Sequence, residues 1–268
     1  MFGSKGMKMK RKHKMILTSC IILSSVIAGC DSSSEPSETT GTFNVRITDA
    51  PAEFDAVNIT FSEISVNQSG GSAIVVSDST QTINLIEWSN GLSTPLGSIE
   101  LEAGTYNQIR LIIDSASVTV DGVKSAVTVP SGAQTGLKLT HQFTLEAGFT
   151  YDLMIDFDAS RSIVSHGPKA NATYSLKPTI RLVAMATTGS ISGTVTIPEN
   201  APVAMAMSGA DTVTTVFVDT MSGEFQLAFL EAGLYDVVVE DSTGARFDST
   251  AVEVTVGEDN DLGSIELQ

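Results

Sequence analysis

Short runs of alternating apolar and polar residues recur along most of the chain. In the run from Thr42 to Thr48 every second residue is apolar, and the run from Ala56 to Val66 begins in the same way before its phase slips at Ser62 and Glu63. A period of two places successive side chains on opposite faces of a strand, and a slip in phase predicts a β-bulge. No stretch of helical length has an apolar period of 3.6 residues. The pattern therefore predicts an all-β protein built from sandwiches or barrels.

The tetrapeptide Leu-Glu-Ala-Gly occurs three times, at 101–104, 145–148 and 230–233, and each copy leads into a predicted strand. An aromatic residue follows each copy within three positions. Because glycine adopts a positive φ at little steric cost, we expect a tight turn at each copy.

Three further segments carry local signals. Asp121–Gly122 lies between two valine-rich runs and predicts a two-residue hairpin. The segment Ile83–Trp88 is interpreted as a strand or a brief helical turn. The segment Glu199–Ala210, in which alanine and methionine alternate, is interpreted as a loop.

The strand pattern restarts at Ile191, after Thr187-Thr188-Gly189. We therefore place a boundary there and predict two β-sandwich domains, a large one at 41–186 and a small one at 187–268. About 80 residues suffice for a small sandwich of seven strands.

The first 29 residues have the features of a bacterial export signal. Six basic residues precede the apolar run Met15–Ala28, which is too short to span a bilayer, so residues 1–29 are interpreted as a signal peptide. The run ends in Ile27-Ala28-Gly29-Cys30, which resembles the lipobox of bacterial lipoproteins. That resemblance implies cleavage before Cys30, attachment of a diacylglyceryl group with palmitate-type chains to its thiol, and anchoring of a cell-envelope protein in the inner or the outer membrane. The alternative is an unlipidated secretory signal with a chance cysteine.

Residues 30–40 are interpreted as the lipidated cysteine and a disordered tether. The segment Asp31–Thr40 has no apolar residue and so has nothing to bury in a core. As a flexible coil it would hold the folded part about 18 Å from the membrane on average.

The chain after residue 29 is strongly acidic and has Cys30 as its one cysteine. It contains nine basic and 31 acidic residues, which gives a formal net charge of −22. Such a surface repels nucleic acid and anionic lipid, so we expect no nucleic-acid partner. With Cys20 removed and Cys30 acylated, no disulfide is possible, and the fold must depend on its hydrophobic cores.

Residues 41–186 contain a series of distinctive stretches, which are Thr48-Asp49-Ala50-Pro51, FDAVNIT from Phe54, LEAGTYNQIRL from Leu101, TGLKL from Thr135, DFDASRSIV from Asp156 and LKPTIRLV from Leu176. In this order they resemble the bacterial lipoprotein family DUF4382, a domain of unknown function. The resemblance implies a lipid anchor and a β-rich fold. It implies no activity, so no functional residue is carried over.

Residues 189–268 contain Ser222-Gly223-Glu224-Phe225 and the stretch Leu230–Tyr235. Through these two segments the region is similar to the carboxypeptidase-regulatory-like domain, a transthyretin-like Greek-key sandwich. The segment before Asp211 departs from the family's pattern. The resemblance implies a structural or binding accessory domain without peptidase residues.

The strand predicted at Tyr151–Asp158 carries the best candidate site. Its odd-numbered residues are apolar and are expected to face the core, which leaves three carboxylates on the other face. These are Asp152, Asp156 and Asp158. Carboxylate oxygens are ligands for hard cations, so the face is a candidate calcium site. The alternative is that neighbouring basic residues neutralise it, and we favour that alternative because unpaired like charges are costly. These residues are Arg161, Lys177 and Arg181.

The sequence offers little for catalysis. The chain after residue 29 has His141 and His166 but no nucleophile-elbow, phosphate-loop or zinc-protease motif. We therefore interpret the protein as a non-enzymatic envelope lipoprotein that serves in binding, adhesion or structure, with an envelope protein or a polysaccharide as candidate partner. The alternatives are a lipid-anchored hydrolase and an accessory subunit that docks on another envelope protein through a sheet edge.

Overall fold

The computed structural model describes residues 39–50, 52–168 and 171–268. The predicted signal peptide at 1–29, Cys30 and the tether up to residue 38 lie outside the described residues. Thr40, which was expected to belong to the tether, is the first residue of a strand. No helix in the described ranges is long and apolar enough to cross a membrane.

Between residues 40 and 184 the described chain is mostly β-structure, interrupted by loops, the 3-10 turn Leu85–Trp88 and two one-turn helices, α1 (Ser131–Gln134) and α2 (Ala159–Ser162). Its strands are β1 (Thr40–Ala50), β2 (Ala56–Gln68), β3 (Ala73–Ser77), β4 (Gln81–Asn84), β5 (Thr94–Glu102), β6 (Gly104–Val120), β7 (Val123–Thr128), β8 (Leu137–Leu145), β9 (Thr150–Asp158), β10 (Ile163–His166), β11 (Thr173–Leu176) and β12 (Ile180–Ala184).

These strands form the first sandwich. One sheet has the order β12-β9-β1-β5, in which β1 and β9 are parallel neighbours. The other has the order β10-β11-β7-β6-β2-β3, with β4 also paired to β2 and β8 paired to β6. Apolar side chains of both sheets meet in one hydrophobic cluster, which includes Phe43, Phe61 and Phe157. The alternation seen in the sequence therefore marks the inward faces of the two sheets.

The rest of the chain forms a second sandwich with its own core. Its strands are β13 (Thr188–Val195), β14 (Val203–Ser208), β15 (Asp211–Phe217), β16 (Glu224–Glu231), β17 (Gly233–Glu240), β18 (Arg246–Val254) and β19 (Asp259–Ile265). They form sheets of order β16-β13-β19 and β15-β14-β17-β18. Apolar residues such as Ile191, Phe225 and Val237 fill the space between them. The all-β sandwich class predicted from the sequence is confirmed.

The two cores lie on either side of the predicted boundary at 186/187. By backbone contacts, however, the described residues of both sandwiches belong to one compact unit. The division into two domains at this position therefore stays a prediction.

Several local predictions are confirmed. The pairing of β2 with β6 shifts register between Thr60 and Glu63, where the bulge was expected. Asp121 and Gly122 have φ of 48° and 75° and connect β6 to β7, as a turn with two positive φ values requires. The segment Ile83–Trp88 combines both expected states, because β4 ends at Asn84 and a 3-10 turn follows.

The glycine of the Leu-Glu-Ala-Gly repeat behaves differently in its copies. Gly148 has a φ of 76°, as expected for a tight turn, whereas Gly104 and Gly233 do not have positive φ. The prediction of a positive-φ turn is therefore wrong at these two copies. There the chain passes from one strand to the next with a single residue between them.

The aromatic residue that follows the repeat explains these two corners. The hydroxyl of Tyr106 donates to the carbonyl oxygen of Glu102 at 2.8 Å, and that of Tyr235 donates to the carbonyl oxygen of Glu231 at 2.9 Å. Each tyrosine thus bonds back to the backbone four residues upstream, which is a tyrosine corner. Tyr151 lies one position later in its copy and bonds to a histidine instead.

The predicted loop at 199–210 is wrong, because it contains β14, which pairs with both β15 and β17. Ala204 and Ala206 are buried, while Met205 and Met207 lie on the other face. Alanine has a low intrinsic strand propensity, which hid the strand. Its small side chain nevertheless suits an inward position between closely packed sheets.

Candidate functional site

Ionisable side chains gather where the carboxyl ends of β1 and β9 approach the second sandwich. We call them the junction cluster. They are Asp49, Asp156, Asp158, Arg161 and Arg181. Parallel pairing aligns the ends of β1 and β9, and antiparallel pairing of β12 with β9 places Arg181 opposite Asp156. The sheet register therefore brings together residues that are far apart in sequence.

Arg181 connects the two sandwiches. Its Nε and Nη2 donate to Oδ2 of Asp156 at 3.0 and 2.7 Å, and its Nη1 donates to the carbonyl oxygen of Phe229 at 3.1 Å. The planar guanidinium has donors in a fixed fork and can bond a carboxylate and a carbonyl at once. One side chain thus joins β9 of the first sandwich to β16 of the second.

The carbonyl that accepts from Arg181 belongs to a residue in an unusual conformation. Phe229 has a φ of 56°, which is costly for a bulky residue. It lies at a register shift in the β13–β16 pairing, where Ser190 faces both Ala228 and Phe229. Bulges of this kind redirect backbone groups, and here the carbonyl of Phe229 accepts a bond from the other sandwich.

Asp49 is the most perturbed ionisable group of the junction cluster. It is 5% exposed, its Oδ1 accepts from the backbone N–H of Ala159 at 2.8 Å, and its buried Oδ2 has no hydrogen-bond partner. Burial raises the pKa of Asp49 to about 9; the Ala159 N–H opposes that rise, and the charges of Asp156 and Asp158 add to it. Asp49 is therefore a neutral carboxylic acid at pH 7.

Asp156 and Asp158 are held by different partners. Burial raises the pKa of Asp156, and the charge and hydrogen bonds of Arg181 oppose that rise. Asp158 is the N-cap of α2, since its Oδ1 accepts from the backbone N–H of Arg161 at 2.9 Å and from the hydroxyl of Ser160 at 2.7 Å. Nε of Arg161 lies 3.8 Å from Oδ2 of Asp158, and the Arg161 side chain is 65% exposed.

Two cavities lie at the junction. The larger has a volume of about 310 Å³ and is bounded by Asp158, Arg161 and Arg181 on one side and by the β15 segment Thr212–Thr215 on the other. The smaller, of about 10 Å³, is bordered by Asp49 and residues of both sandwiches. A space of that size is about the volume that one water molecule requires.

The structure brings together only two of the three aspartates predicted as calcium ligands, since Asp156 and Asp158 border the same cavity and Asp152 borders another. Asp152 accepts from the side-chain amide of Asn44 at 2.7 Å, Asp156 pairs with Arg181, and Asp158 caps α2. In residues 39–50, 52–168 and 171–268 no group of three or more histidine, cysteine, aspartate or glutamate side chains is placed to hold a metal ion. This geometry fits the neutralisation alternative for Asp156 and Asp158, while calcium binding stays a prediction without a preformed site.

The face of β9 that carries the aspartates is largely shielded from solvent. Met154, on the same face, is 0% exposed. Near it the chain enters the 3-10 turn Met185–Thr187, which leads directly into the second sandwich. This face is therefore a contact surface within the molecule, where Asp156 is buried and paired with Arg181.

Sequence reasoning missed Asp49 as a member of the site. Asp49 continues the inward series Phe43, Val45 and Ile47 of β1, and a carboxylate on a core-facing position was the available signal. Its partner Ala159 lies 110 residues later in the chain. Only the parallel pairing of β1 with β9 brings the two together.

The two histidines do not form a catalytic arrangement with an acid. Nε2 of His141 lies 3.0 Å from the hydroxyl of Tyr151, and burial lowers the pKa of His141. Nε2 of His166 lies 2.7 Å from the hydroxyl of Ser175 on the exposed β10–β11 hairpin. A serine–histidine pair also needs a group that orients the histidine, and no carboxylate in the described residues bonds to either ring.

The family profile described as "Domain of unknown function (DUF4382)" matches residues 40–178, slightly more than half of the chain. No curated protein matches the chain at a significant level.

Similar solved structures include the TIE protein of Bacillus anthracis (11% identity, TM-score 0.24, 85% of this chain and 34% of that one). Another is BcpA, the major pilin subunit of Bacillus cereus, with 8% identity, a TM-score of 0.21 and coverage of 85% of this chain and 70% of that one. A third is the fimbrial anchor protein Mfa2 from Porphyromonas gingivalis, with 16% identity, a TM-score of 0.20 and coverage of 79% of this chain and 83% of that one. This chain spans about a third of the TIE protein. At these TM-scores the likeness carries no argument, and the sandwich fold rests on the sheets described above.

Proposed function

The chain belongs to the DUF4382 family, and we propose that it is a non-enzymatic binding or structural module of the bacterial cell envelope. In this proposal the two sandwiches form one rigid body, and a lipidated Cys30 tethers that body to the membrane. The family is defined as a domain of unknown function, so the proposal rests on the chain's own geometry.

The observation that carries the proposal is the bond pattern of Arg181. A flexible link between independent domains is normally exposed and crossed by few contacts. Here a half-buried arginine bonds Asp156 of one sandwich and the carbonyl of Phe229 of the other. Asp156 and Arg181 belong to the same sheet, so separating the sandwiches would break the bond to Phe229 and leave that backbone carbonyl without its charged donor.

A second contact supports rigidity. The side-chain oxygen of Asn90 accepts from the backbone N–H of Gln226 at 2.7 Å. Asn90 and Gly91 both have positive φ, and a Cβ on Gly91 would lie 2.3 Å from Oε1 of Gln226. The turn at Asn90–Gly91 therefore fits closely against β16, so that the sandwiches touch at two separate places.

A rigid β-body suits a role in which the protein presents a surface at a fixed position. Catalysis is disfavoured, because the junction cavity has paired charges rather than an activated nucleophile, and the exposed His166–Ser175 pair has no orienting acid in the described residues. If the His166–Ser175 pair were catalytic, a serine-reactive fluorophosphonate would label the protein at Ser175. We expect no labelling.

The experiment that tests the proposal is small-angle X-ray scattering of the chain from residue 30 onward with Cys30→Ser. We expect a scattering curve that a single rigid arrangement fits. Arg181→Lys keeps a positive charge beside Asp156 but cannot also reach the carbonyl of Phe229, so it should increase the radius of gyration or require several arrangements. A wild-type curve that fits only with freely moving sandwiches would contradict the proposal.

The tether is tested separately. Cells that express the full chain and are fed radiolabelled palmitate should incorporate the label, and the protein should partition into the detergent phase of Triton X-114. Cys30→Ser should abolish incorporation of the label. Label retained in that variant would place the lipid elsewhere or refute the lipoprotein proposal.

A further inference from the structure

β8 lies at an open edge of the first sandwich. It pairs with the first half of β6, from Gly104 to Leu111, and with no other strand in the described residues. It is nine residues long, contains no proline and has a single charged residue, Lys138. The backbone N–H and C=O groups on its outer side are therefore available to another strand, and strands of this kind are normally protected by proline or several charges.

The side chains of β8 divide cleanly between its two faces. Leu137, Leu139 and His141 are half-buried on the core side, and the first two pack against the hydrophobic cluster of the first sandwich. Lys138 and Thr140 are exposed on the other side. A strand added beside β8 would cover the half-buried leucines with alternate side chains of its own.

The outer face of β8 also carries an unbalanced positive charge. Lys138 lies directly opposite Arg110 of β6, and like charges in that position destabilise a sheet. Neither forms an ion pair with any described residue; Arg110 donates only to the carbonyl oxygen of Thr135, and its buried Nε has no partner. This local excess stands out on a body with nine basic and 31 acidic residues.

We propose that β8 is a docking strand that pairs with an extended segment of a partner protein in which apolar and acidic residues alternate. The acidic side chains lie beside Lys138, and the apolar ones cover Leu137 and Leu139. A second copy of β8 does not meet this requirement, since β8 has no acidic residue. The inference rests on the proposed role as a binding module and names its surface and the chemistry of its partner.

The test uses a fluorescein-labelled peptide of nine residues in which valine and glutamate alternate. Its binding to the chain from residue 30 onward, with Cys30→Ser, is measured by fluorescence anisotropy. A matched peptide has lysine in place of each glutamate, and a third has methylated backbone nitrogens on alternate residues. We expect binding of the acidic peptide alone, because the lysine peptide meets a like charge and the methylated peptide cannot donate to the edge.

Lys138→Glu should weaken binding of the acidic peptide about fivefold, as expected for an exposed ion pair, and should permit binding of the lysine peptide. The control is Lys124→Glu on exposed β7, which makes the same charge change away from this edge and should have no effect. Thermal unfolding checks that both variants are folded.

Three outcomes would each overturn the proposal: no binding of the acidic peptide, an equal loss of its affinity in Lys138→Glu and Lys124→Glu, or equally tight binding of the methylated peptide. None of these outcomes affects the scattering test of the junction, so the two proposals fail independently.

Discussion

Asp49→Asn is expected to stabilise the protein above neutral pH. The side chain of asparagine keeps an oxygen that can accept from the Ala159 N–H, as Oδ1 of Asp49 does. It also replaces the buried Oδ2, which has no partner, with an amide that never ionises. The substitution therefore removes a group whose charged form the folded state disfavours.

The magnitude follows from proton linkage. The pKa of Asp49 is about 9 in the folded protein and 3.8 as an unperturbed carboxyl, so between these values folding takes up a proton. Stability conferred by protonated Asp49 is fully present below about pH 4 and is lost as pH rises towards about 9. The loss is at most about 1.4 kcal/mol per pH unit. Between about pH 7 and about pH 8.5 the wild type should therefore lose about 1–2 kcal/mol through this group.

Urea unfolding at a series of pH values measures the effect. The chosen window lies above the titration of His141, whose pKa is lowered by burial. The pKa of Asp156 is also raised, so Asp49→Asn should flatten the pH slope without abolishing it. Asp78→Asn, on an exposed position, is the control for the loss of one negative charge. Identical slopes in the wild type and Asp49→Asn, or a variant that is less stable at about pH 8.5, would refute the reasoning.

Three further results are expected. Tyr106→Phe and Tyr235→Phe should each lower the free energy of unfolding by about 1 kcal/mol in urea titrations, since each leaves a corner carbonyl without its donor; no loss in either variant would show that the corners are not stabilising. Ala251→Gly should raise stability by up to about 1 kcal/mol, because the exposed Ala251 has a φ of 54°, whereas a loss would mean that the alanine conformation is not strained. Calcium should leave the thermal midpoint unchanged, since Asp156 and Asp158 already have partners; a saturable rise that Asp156→Asn abolishes would restore the calcium prediction.

Much of the fold could be predicted from local patterns. A strand that packs one face on a core has a period of two whatever its neighbours are, so runs such as Thr42–Thr48 and the Asp121–Gly122 hairpin were visible in the sequence. The strand at Val203–Ser208 was missed because its inward residues are alanines, whose burial depends on how closely the sheets approach.

The candidate site was predicted only in part. The strand that carries Asp156 and the basic residue that neutralises it, Arg181, were identified from their sequence positions. The sequence could not show that this face of β9 meets the second sandwich, nor that Phe229 turns its carbonyl towards Arg181. Both depend on register and on contacts between residues far apart in the chain, which local periodicity does not encode.

The rigid junction is tested most directly by pulsed electron paramagnetic resonance between one spin label on each sandwich. Val123 and Met221 are 66% and 93% exposed, and the chain from residue 30 onward with Cys30→Ser has no other cysteine to label. The doubly labelled Val123→Cys/Met221→Cys variant should give one narrow distance distribution, which Arg181→Lys broadens. A broad distribution that Arg181→Lys leaves unchanged would contradict the account.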